Sequence, residues 1–326
     1  MVTRRHAVLA ASASLFAPAL VRAQAGAGWR PSRPIRCIVP FAAGGPTDIL
    51  ARLLADPVSA ALGQPMAVEN RSGAGGAIGA DLVAKAPPDG HMVLVHDSAH
   101  AVAPALVARL PFHPVTDFTG IGVLVFAPLA LSVHPSVPAR NLEQIVALLK
   151  ANPGRYNLAT SGLGGPVHIA AEIFRTAADV SFEMVHYRGG APAAAAVVSG
   201  EAHMTILSIA ASLEQMRAGT MRPLVLTVAN RNRLMPDVPT AAEAGLPGFF
   251  FENWRAAFAP ANTPAPILAS LSQAFHAGLR VHTERLLGFG EEPRPGFTES
   301  ARVMEFVRAE TGRYSSILRA AGVRPE

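Results

Sequence analysis

The sequence predicts an α/β protein built from two doubly wound lobes. Short apolar runs bounded by glycine and proline alternate with segments of helical period along the chain. With 326 residues, half of them hydrophobic, the chain can bury one large core or two medium ones. Three strand-to-helix turns share one pattern, a glycine pair with proline at or near the helix start. Strands that alternate with helices imply parallel sheets, whose ligands bind beyond the carboxyl ends of the strands.

The first of these turns follows a predicted buried strand at residues 35–39. Gly44-Gly45-Pro46-Thr47-Asp48 then begins a helix. Pro46 suits the first helical position because its fixed φ matches a helix and its missing N–H is not needed there, which makes Gly45 the N-cap. Uncovered N–H groups and the positive end of the helix dipole could bind an anion. The same residues are equally compatible with a turn that needs glycine only for its backbone.

The second and third turns favour a functional interpretation because they repeat the pattern. Residues 159–166 precede a predicted helix at 167–174, and residues 187–192 precede one at 193–198. Three helix N-termini could converge on one small anion. None of the three turns has the Lys-Ser/Thr ending of a phosphate-binding P-loop.

The remaining elements follow from apolar period and from glycine and proline boundaries. Further strands are predicted at 64–69, 91–96, 119–125, 129–134, 156–159, 184–187, 204–207, 222–229 and 254–259. Further helices are predicted at 80–86, 98–110, 141–151, 264–279 and 299–321, with a short helix that follows 237–240 and stops at Gly245.

Residues 1–23 have the pattern of a signal peptide. Arg4 and Arg5 precede an apolar stretch at 7–20 that is too short to cross a bilayer, and small residues follow it. We expect cleavage after Ala23, with Ala25 as the alternative, and export to the periplasm by the ordinary secretory or the twin-arginine route.

Charge and cysteine content argue against a nucleic-acid-binding protein and against a disulfide-stabilised one. Removing residues 1–23 lowers the formal net charge from +5 to +2, and no basic run with interleaved aromatic residues occurs, so no nucleic-acid partner is expected. The only cysteine, Cys37, lies within the first predicted strand. It cannot form an internal disulfide, and we expect it to be a buried apolar residue.

Two constellations suggest a cofactor or a metal, and neither is favoured. Residues 73–79 contain a glycine spacing similar to a dinucleotide fingerprint, but the strand before it is short and three residues intervene. His91 and His96 are five apart on a strand and face opposite sides. Together with Asp97 and His100 they match no standard zinc spacing, so we expect no metal and no cofactor.

Ser161 and His168 could act as nucleophile and base in an α/β hydrolase. The Gly-x-Ser-x-Gly pattern is absent and no acid for the third role is identifiable. Ser161 is therefore better interpreted as a hydroxyl and N–H donor to a bound anion.

Two charged residues within the turns have alternative roles. Near the third helical position, Asp48 complements the helix dipole and can bond back to the Gly45 N–H, or it could pair with a ligand amine. Arg188 could form a bidentate bond to a carboxylate, or it could point to solvent. The sequence leaves the choice for Arg188 open.

Seven stretches together resemble the substrate-binding proteins of tripartite tricarboxylate transporters, also called the Bug family. They lie at 33–48, 68–76, 84–90, 152–154, 159–162, 187–190 and 236–247 and span nearly the whole mature chain in order. The resemblance implies a flytrap of the periplasmic-binding-protein type, similar to type II, whose chain crosses between lobes near Phe126 and Glu252. Lobe 1 would then comprise residues 24–125 and 253–326, and lobe 2 residues 126–252.

The resemblance also implies a site for small carboxylates, held by backbone N–H groups and waters around residues 41–47 and by the opposite lobe. The expected ligand-binding residues are Phe41, Ala43, Gly44, Gly45, Thr47, Asp48, Thr160, Ser161, Gly162, His168, Tyr187, Arg188, Gly189 and His203. His203 and Leu207 stand where the family often has Asp. Losing these acids favours a plain or aromatic acid over a free amino acid as ligand.

The expected function is that of an exported, monomeric solute-binding protein that delivers a small organic carboxylate to membrane transporter subunits without catalysis. The alternatives are a periplasmic ligand sensor for a membrane kinase and, less favoured, an α/β hydrolase that uses Ser161.

Overall fold

The computed structural model describes residues 28–294 and 297–325, so the predicted signal peptide at 1–23 lies outside the described residues. The strands are β1 (Ile35–Val39), β2 (Met66–Asn70), β3 (Met92–Asp97), β4 (Phe118–Val133), β5 (Asn157–Thr160), β6 (Glu183–His186), β7 (Met204–Ser208), β8 (Arg222–Leu226), β9 (Glu252–Pro260) and β10 (Glu292–Pro293). The helices are α1 (Pro46–Leu62), α2 (Ala77–Ala84), α3 (Ala99–Leu106), α4 (Leu142–Ala151), α5 (Pro166–Ala178), α6 (Gly190–Val198), α7 (Ile209–Arg217), α8 (Ala265–Val281), α9 (Thr283–Gly288) and α10 (Ser300–Ala320).

The strands form one continuous curled sheet in the order β2-β1-β3-β9-β4-β7-β5-β6, with β8 and β10 also paired to β4. Strand β4 pairs with β9 from Phe118 to Pro128 and with β7 from Leu129 to Val133. We call β2, β1, β3 and β9 the first half-sheet, and β7, β5, β6 and β8 the second half-sheet. The first three strands are parallel to one another, as are β5, β6 and β7. This mixed α/β architecture confirms the predicted fold class.

Strand β4 corrects one prediction. The sequence predicted two strands, at 119–125 and 129–134, because proline ends pairing when its N–H is needed. The structure has a single strand of 16 residues. Pro128 stands at the last pair of the β9 ladder, opposite Glu252, and the strand continues past it to new partners.

The short helix predicted after residue 240 is also wrong, since residues 241–245 form turns. The capping interaction that suggested it is nevertheless present. The Thr240 N–H donates to Glu243 Oε2 at 2.8 Å, and the Glu243 N–H donates to Thr240 Oγ1 at 3.2 Å. These two bonds close a turn, but the residues after it do not form a helix.

The core has apolar residues on both faces of the sheet. On one face α1 and α8 cover β1, β3 and β9, and Cys37 lies there fully buried, as predicted. Burial raises the pKa of its thiol to about 12. On the other face α10 packs against α3, which follows a strand of the first half-sheet, and against α5, which follows a strand of the second. No helix among the described residues is long and apolar enough to cross a membrane.

Candidate ligand-binding site

The first glycine turn lies at the carboxyl end of β1 and has the predicted cap. Gly45 is the N-cap of the 17-residue α1, with φ −74° and ψ 164°, and Pro46 is the first helical residue. Gly44 before it has a φ of +81°, a conformation that favours glycine. The Asp48 carboxylate accepts a hydrogen bond from the Gly44 N–H at 2.8 Å, one residue earlier than the predicted Gly45 donor.

Asp48 is an anchor for this turn. Its side chain is only 2% exposed and accepts from Arg52 Nε at 2.9 Å and from Asn70 Nδ2 at 2.8 Å. Burial opposes ionisation, but the hydrogen bonds from Arg52, Gly44 and Asn70 outweigh it and lower the Asp48 pKa. Asn70 also donates to the Phe41 carbonyl at 3.0 Å. These contacts fix both ends of the turn and engage the Asp48 carboxylate with protein donors.

The second glycine turn, at the carboxyl end of β5, repeats this geometry. Gly164 has a φ of +71°, and Gly165 caps the 13-residue α5 with φ −74° and ψ 172°. Pro166 is again the first helical residue. His168 occupies the position equivalent to Asp48, and its Nδ1 accepts from the Gly164 N–H at 3.0 Å.

The two turns also share a weak internal bond. The Gly45 N–H donates to Ala42 O, and the Gly165 N–H donates to Gly162 O, both at 3.4 Å. The first N–H groups of a helix have no partner within the helix. An anion on the axis of α1 would therefore meet the N–H groups of Thr47 and Asp48. The equivalent donors of α5 belong to Val167 and His168.

Buried polar side chains support the second turn from behind. The Thr160 hydroxyl, in a fully buried residue, accepts from the Gly162 N–H at 3.3 Å and lies 2.7 Å from His186 Nδ1. His168 Nε2 lies 3.7 Å from Glu172 Oε1. Burial and the neighbouring His168 lower the pKa of His186. Thr160 and His168 therefore shape the turn through their side chains.

The third turn differs in its cap. Gly189, with φ +122°, caps the nine-residue α6, and Pro192 is the third helical residue. Arg188 is exposed and has no ion pair or hydrogen bond within residues 28–294 and 297–325. Tyr187 makes hydrogen bonds within the protein. Its hydroxyl donates to Glu201 at 2.7 Å and its N–H donates to Thr160 O at 3.0 Å. Arg188 is thus an available cation beside the second and third turns.

His203 is not brought together with the other predicted residues. It precedes β7, where its N–H donates to Asn157 Oδ1 at 2.9 Å, and Asn157 begins β5. Parallel pairing of Leu158 with Met204 places His203 at the amino end of the strands, opposite the glycine turns. The residue of β7 at the same end as the glycine turns is Ser208, the N-cap of α7.

The residues of the alternative constellations mostly make other contacts, although the His96 and His100 ring centroids lie 5.3 Å apart and His96 Nδ1 lies 3.5 Å from Asp97 Oδ1. His168 makes its contacts with the Gly164 N–H and with Glu172, so its ring is not arranged as a base for the partly buried Ser161. His91 Nε2 accepts from the Ser32 N–H at 3.1 Å, whereas His100 is fully buried among phenylalanine rings. Within the described ranges, no group of three or more His, Cys, Asp or Glu side chains is arranged to hold a metal ion.

The sequence is similar to one known family over most of its length. Residues 50–323 match the family model described as the tripartite tricarboxylate transporter family receptor. Protein BugT of Bordetella pertussis is 32% identical over 321 residues, which is 97% of this chain and 98% of BugT.

Solved structures share the whole fold. The periplasmic binding protein BugD has a TM-score of 0.80 at 30% identity and covers 91% of this chain and 100% of its own. Rpa4515 of R. palustris, solved with adipate, has a TM-score of 0.81 at 35% identity, covering 91% and 99%. MatC (Rpa3494) of Rhodopseudomonas palustris, solved with bound malate, has a TM-score of 0.79 at 34% identity, covering 88% and 99%.

Proposed function

This chain belongs to the tripartite tricarboxylate transporter receptor family, and we propose that it captures a small dicarboxylate in the periplasm for a membrane transporter. One observation supports a dicarboxylate as the ligand. Two glycine-proline turns of the same backbone geometry stand at the carboxyl ends of β1 and β5, one in each half-sheet. Each offers uncovered helix N–H groups to one anionic group. A ligand with a carboxylate at each end matches this pair, and adipate and malate in related structures are such ligands.

The charges around the turns support an anion. Asp48 lies next to the first turn, but its carboxylate is paired with Arg52 and held by the Asn70 amide. In the second half-sheet, the exposed Arg188 adds a positive charge. A carboxylate at either turn would therefore face N–H donors. Arg188 adds a cation near the second turn, and the acid of the first turn is already compensated.

The same arrangement disfavours a free amino acid. An ammonium group needs acceptors, and the Asp48 carboxylate already accepts from Gly44, Arg52 and Asn70. We therefore expect plain dicarboxylates to bind more tightly than glutamate or aspartate. No catalytic step is proposed.

The ligand would be enclosed by two lobes, residues 24–125 with 253–326 and residues 126–252. Strands β4 and β9 connect them, since β4 changes partner from β9 to β7 between Pro128 and Leu129. Bending of these strands would bring the turns together around the ligand, and the closed form would be the one that the membrane transporter subunits recognise.

A thermal-shift screen of residues 24–326 tests the proposal. The protein is first unfolded and refolded to release any ligand carried from the host, then titrated with adipate, malate, succinate, citrate, benzoate and glutamate. A ligand at a hundred times its dissociation constant should stabilise the protein by about 2.7 kcal/mol, a shift of a few degrees. Stabilisation by the dicarboxylates supports the proposal. No shift with any of the six acids would overturn it, and a preference for glutamate would overturn the ligand class.

Arg188→Gln then tests the cation at the site. If Arg188 bonds a ligand carboxylate, the substitution should weaken adipate binding by about 1.5–3 kcal/mol, or about 10- to 150-fold. Arg140→Gln is the matched control, because Arg140 is also exposed but lies in the connection before α4, away from the turns. Unchanged affinity for Arg188→Gln in calorimetric titration would show that Arg188 faces solvent.

A further inference from the structure

A leucine side chain from α3, the helix that follows β3 of the first half-sheet, lies directly on the second glycine turn. Leu106 is the last residue of α3, the helix that follows β3. A Cβ atom placed on Gly164 would stand 2.0 Å from Leu106 Cδ1 and 3.4 Å from Leu106 Cγ. Since real Cβ atoms do not approach heavy atoms within 3.0 Å, any larger residue at position 164 would displace the Leu106 side chain from the turn.

This contact joins the two halves of the proposed cleft. Leu106 belongs to the βα unit of β3, whereas Gly164 belongs to the turn between β5 and α5. Gly164 is buried, and its N–H donates to His168 Nδ1. Leu106 therefore covers the residue whose hydrogen bond shapes the second turn, from the opposite side of the cleft.

The equivalent glycine of the first turn is uncovered. Gly44 has nearly the same φ as Gly164, but a Cβ atom placed on it would meet no heavy atom within 4 Å. Two turns with the same backbone thus differ in their surroundings. The first is open, and the second is covered by a side chain from the other half-sheet.

From this asymmetry we infer that Leu106 is a positioning residue that couples ligand binding to closure of the cleft. The inference rests on the proposed function. Open and closed forms are in equilibrium, and Leu106 lies on Gly164 in the closed form. A carboxylate that binds the open first turn shifts this equilibrium towards the closed form. The apolar contact excludes water from the Gly164–His168 hydrogen bond and holds the closed state. Leu106 does this without touching the ligand.

Leu106→Ala tests the inference with adipate as the probe. Truncation should weaken adipate binding about five- to twentyfold, mainly through faster dissociation, because the closed state loses an apolar contact of the partly buried Leu106 side chain. Leu82→Ala is the control, since Leu82 is an exposed leucine on α2, the helix that follows β2 of the same half-sheet. Equal affinity and dissociation rate for Leu106→Ala and wild type would overturn the inference.

A double-substitution cycle separates the contact from backbone strain. Gly164→Ala carries the cost of a positive φ in every background, but the clash with Leu106 is removed by Leu106→Ala. We expect Gly164→Ala to weaken adipate binding more than tenfold in wild type and much less in the Leu106→Ala background. Gly44→Ala, with strain but no covering side chain, should show the same loss in both backgrounds. Equal losses for Gly164→Ala in the two backgrounds would contradict the coupling.

Small-angle scattering of the ligand-free protein keeps the test independent of the ligand class. Leu106→Ala should shift ligand-free molecules towards a larger radius of gyration, and Leu82→Ala should not. If wild type binds none of the acids, the proposed function fails. The scattering comparison then still decides whether Leu106 holds the half-sheets together, and equal radii would overturn that role.

Discussion

His100 should make the protein sensitive to acid. Its side chain is fully buried, stacked on Phe258 at a ring distance of 4.6 Å and edge-on to Phe118 at 4.7 Å. Nε2 lies 2.9 Å from Pro114 O, to which it donates, and Nδ1 has no hydrogen-bond partner among the residues that the structure describes. Protonation would place a charge on Nδ1 among aromatic rings. Burial, with a contribution from the neighbouring His96, lowers the His100 pKa to about 3.

The direction and size of the effect follow from linkage. The pKa is lower in the folded state than its ordinary value of 6.5, so the full stability is present above pH 6.5. Below that pH the imidazole of His100 is protonated in the unfolded chain but stays neutral in the folded chain. The free energy of unfolding therefore falls until the pH reaches about 3. At about 1.4 kcal/mol per pKa unit, the loss is about 3 kcal/mol at pH 4.5 and about 5 kcal/mol at pH 3.

Urea unfolding of wild type and His100→Leu between pH 7.5 and pH 4.5 measures this loss. Groups distant from His100 titrate equally in both proteins, so the difference between the two curves reports on His100 together with its neighbour His96. We expect the free energy of unfolding of wild type to fall by about 3 kcal/mol more than that of the variant. His134→Gln, which changes a partly exposed histidine, should follow wild type. Parallel curves for wild type and His100→Leu would refute the reasoning.

Two further predictions concern the residues that shape the turns. Asp48→Asn should lower the free energy of unfolding by about 2 kcal/mol, because an amide cannot satisfy Arg52, Gly44 and Asn70 together; unchanged urea unfolding would contradict the anchoring role. His168→Ala should weaken adipate binding several-fold by freeing the Gly164 N–H, whereas His168→Asn should retain most of the affinity, because a side chain of Asp48's length makes the equivalent bond in the first turn. Equal losses for both His168 variants in calorimetry would show that this hydrogen bond does not shape the site.

The turns could be predicted from sequence because their chemistry is local. Gly45 and Pro46 specify a cap and a first helical residue by backbone conformation alone, and the structure has both. The Asp48–Arg52 pair also lies within reach of sequence, since residues four apart on a helix are neighbours. Asn70 does not, because it reaches Asp48 only through the register of β1 and β2, which pairs Val39 with Asn70.

Strand direction explains why His203 lies away from the glycine turns. From the sequence, His203 stands near a predicted strand, but which end of the strand it occupies relative to β5 depends on pairing. The register of Leu158 with Met204 places Thr160 towards the glycine turns and His203 towards the opposite edge. Strand β4 presents the same difficulty, because Pro128 stops a strand only if its missing N–H is needed by a neighbour. Both outcomes depend on contacts between distant parts of the chain.

The two glycine turns are held by different side-chain acceptors, the Asp48 carboxylate in the first and the His168 imidazole in the second. Each needs an acceptor at the third helical position for the N–H of a glycine with positive φ. Asp48 supplies it as an anion whose charge is offset four residues later by Arg52, and His168 supplies it through an imidazole nitrogen with Glu172 four residues later. A buried, hydrogen-bonded carboxylate keeps the open first turn fixed before any ligand arrives, because Arg52 and Asn70 hold it without help from the other half-sheet. The second turn has a weaker acceptor and a covering leucine from across the cleft. If the protein functions as we propose, a dicarboxylate binds first to the preformed first turn, and closure then completes the second turn.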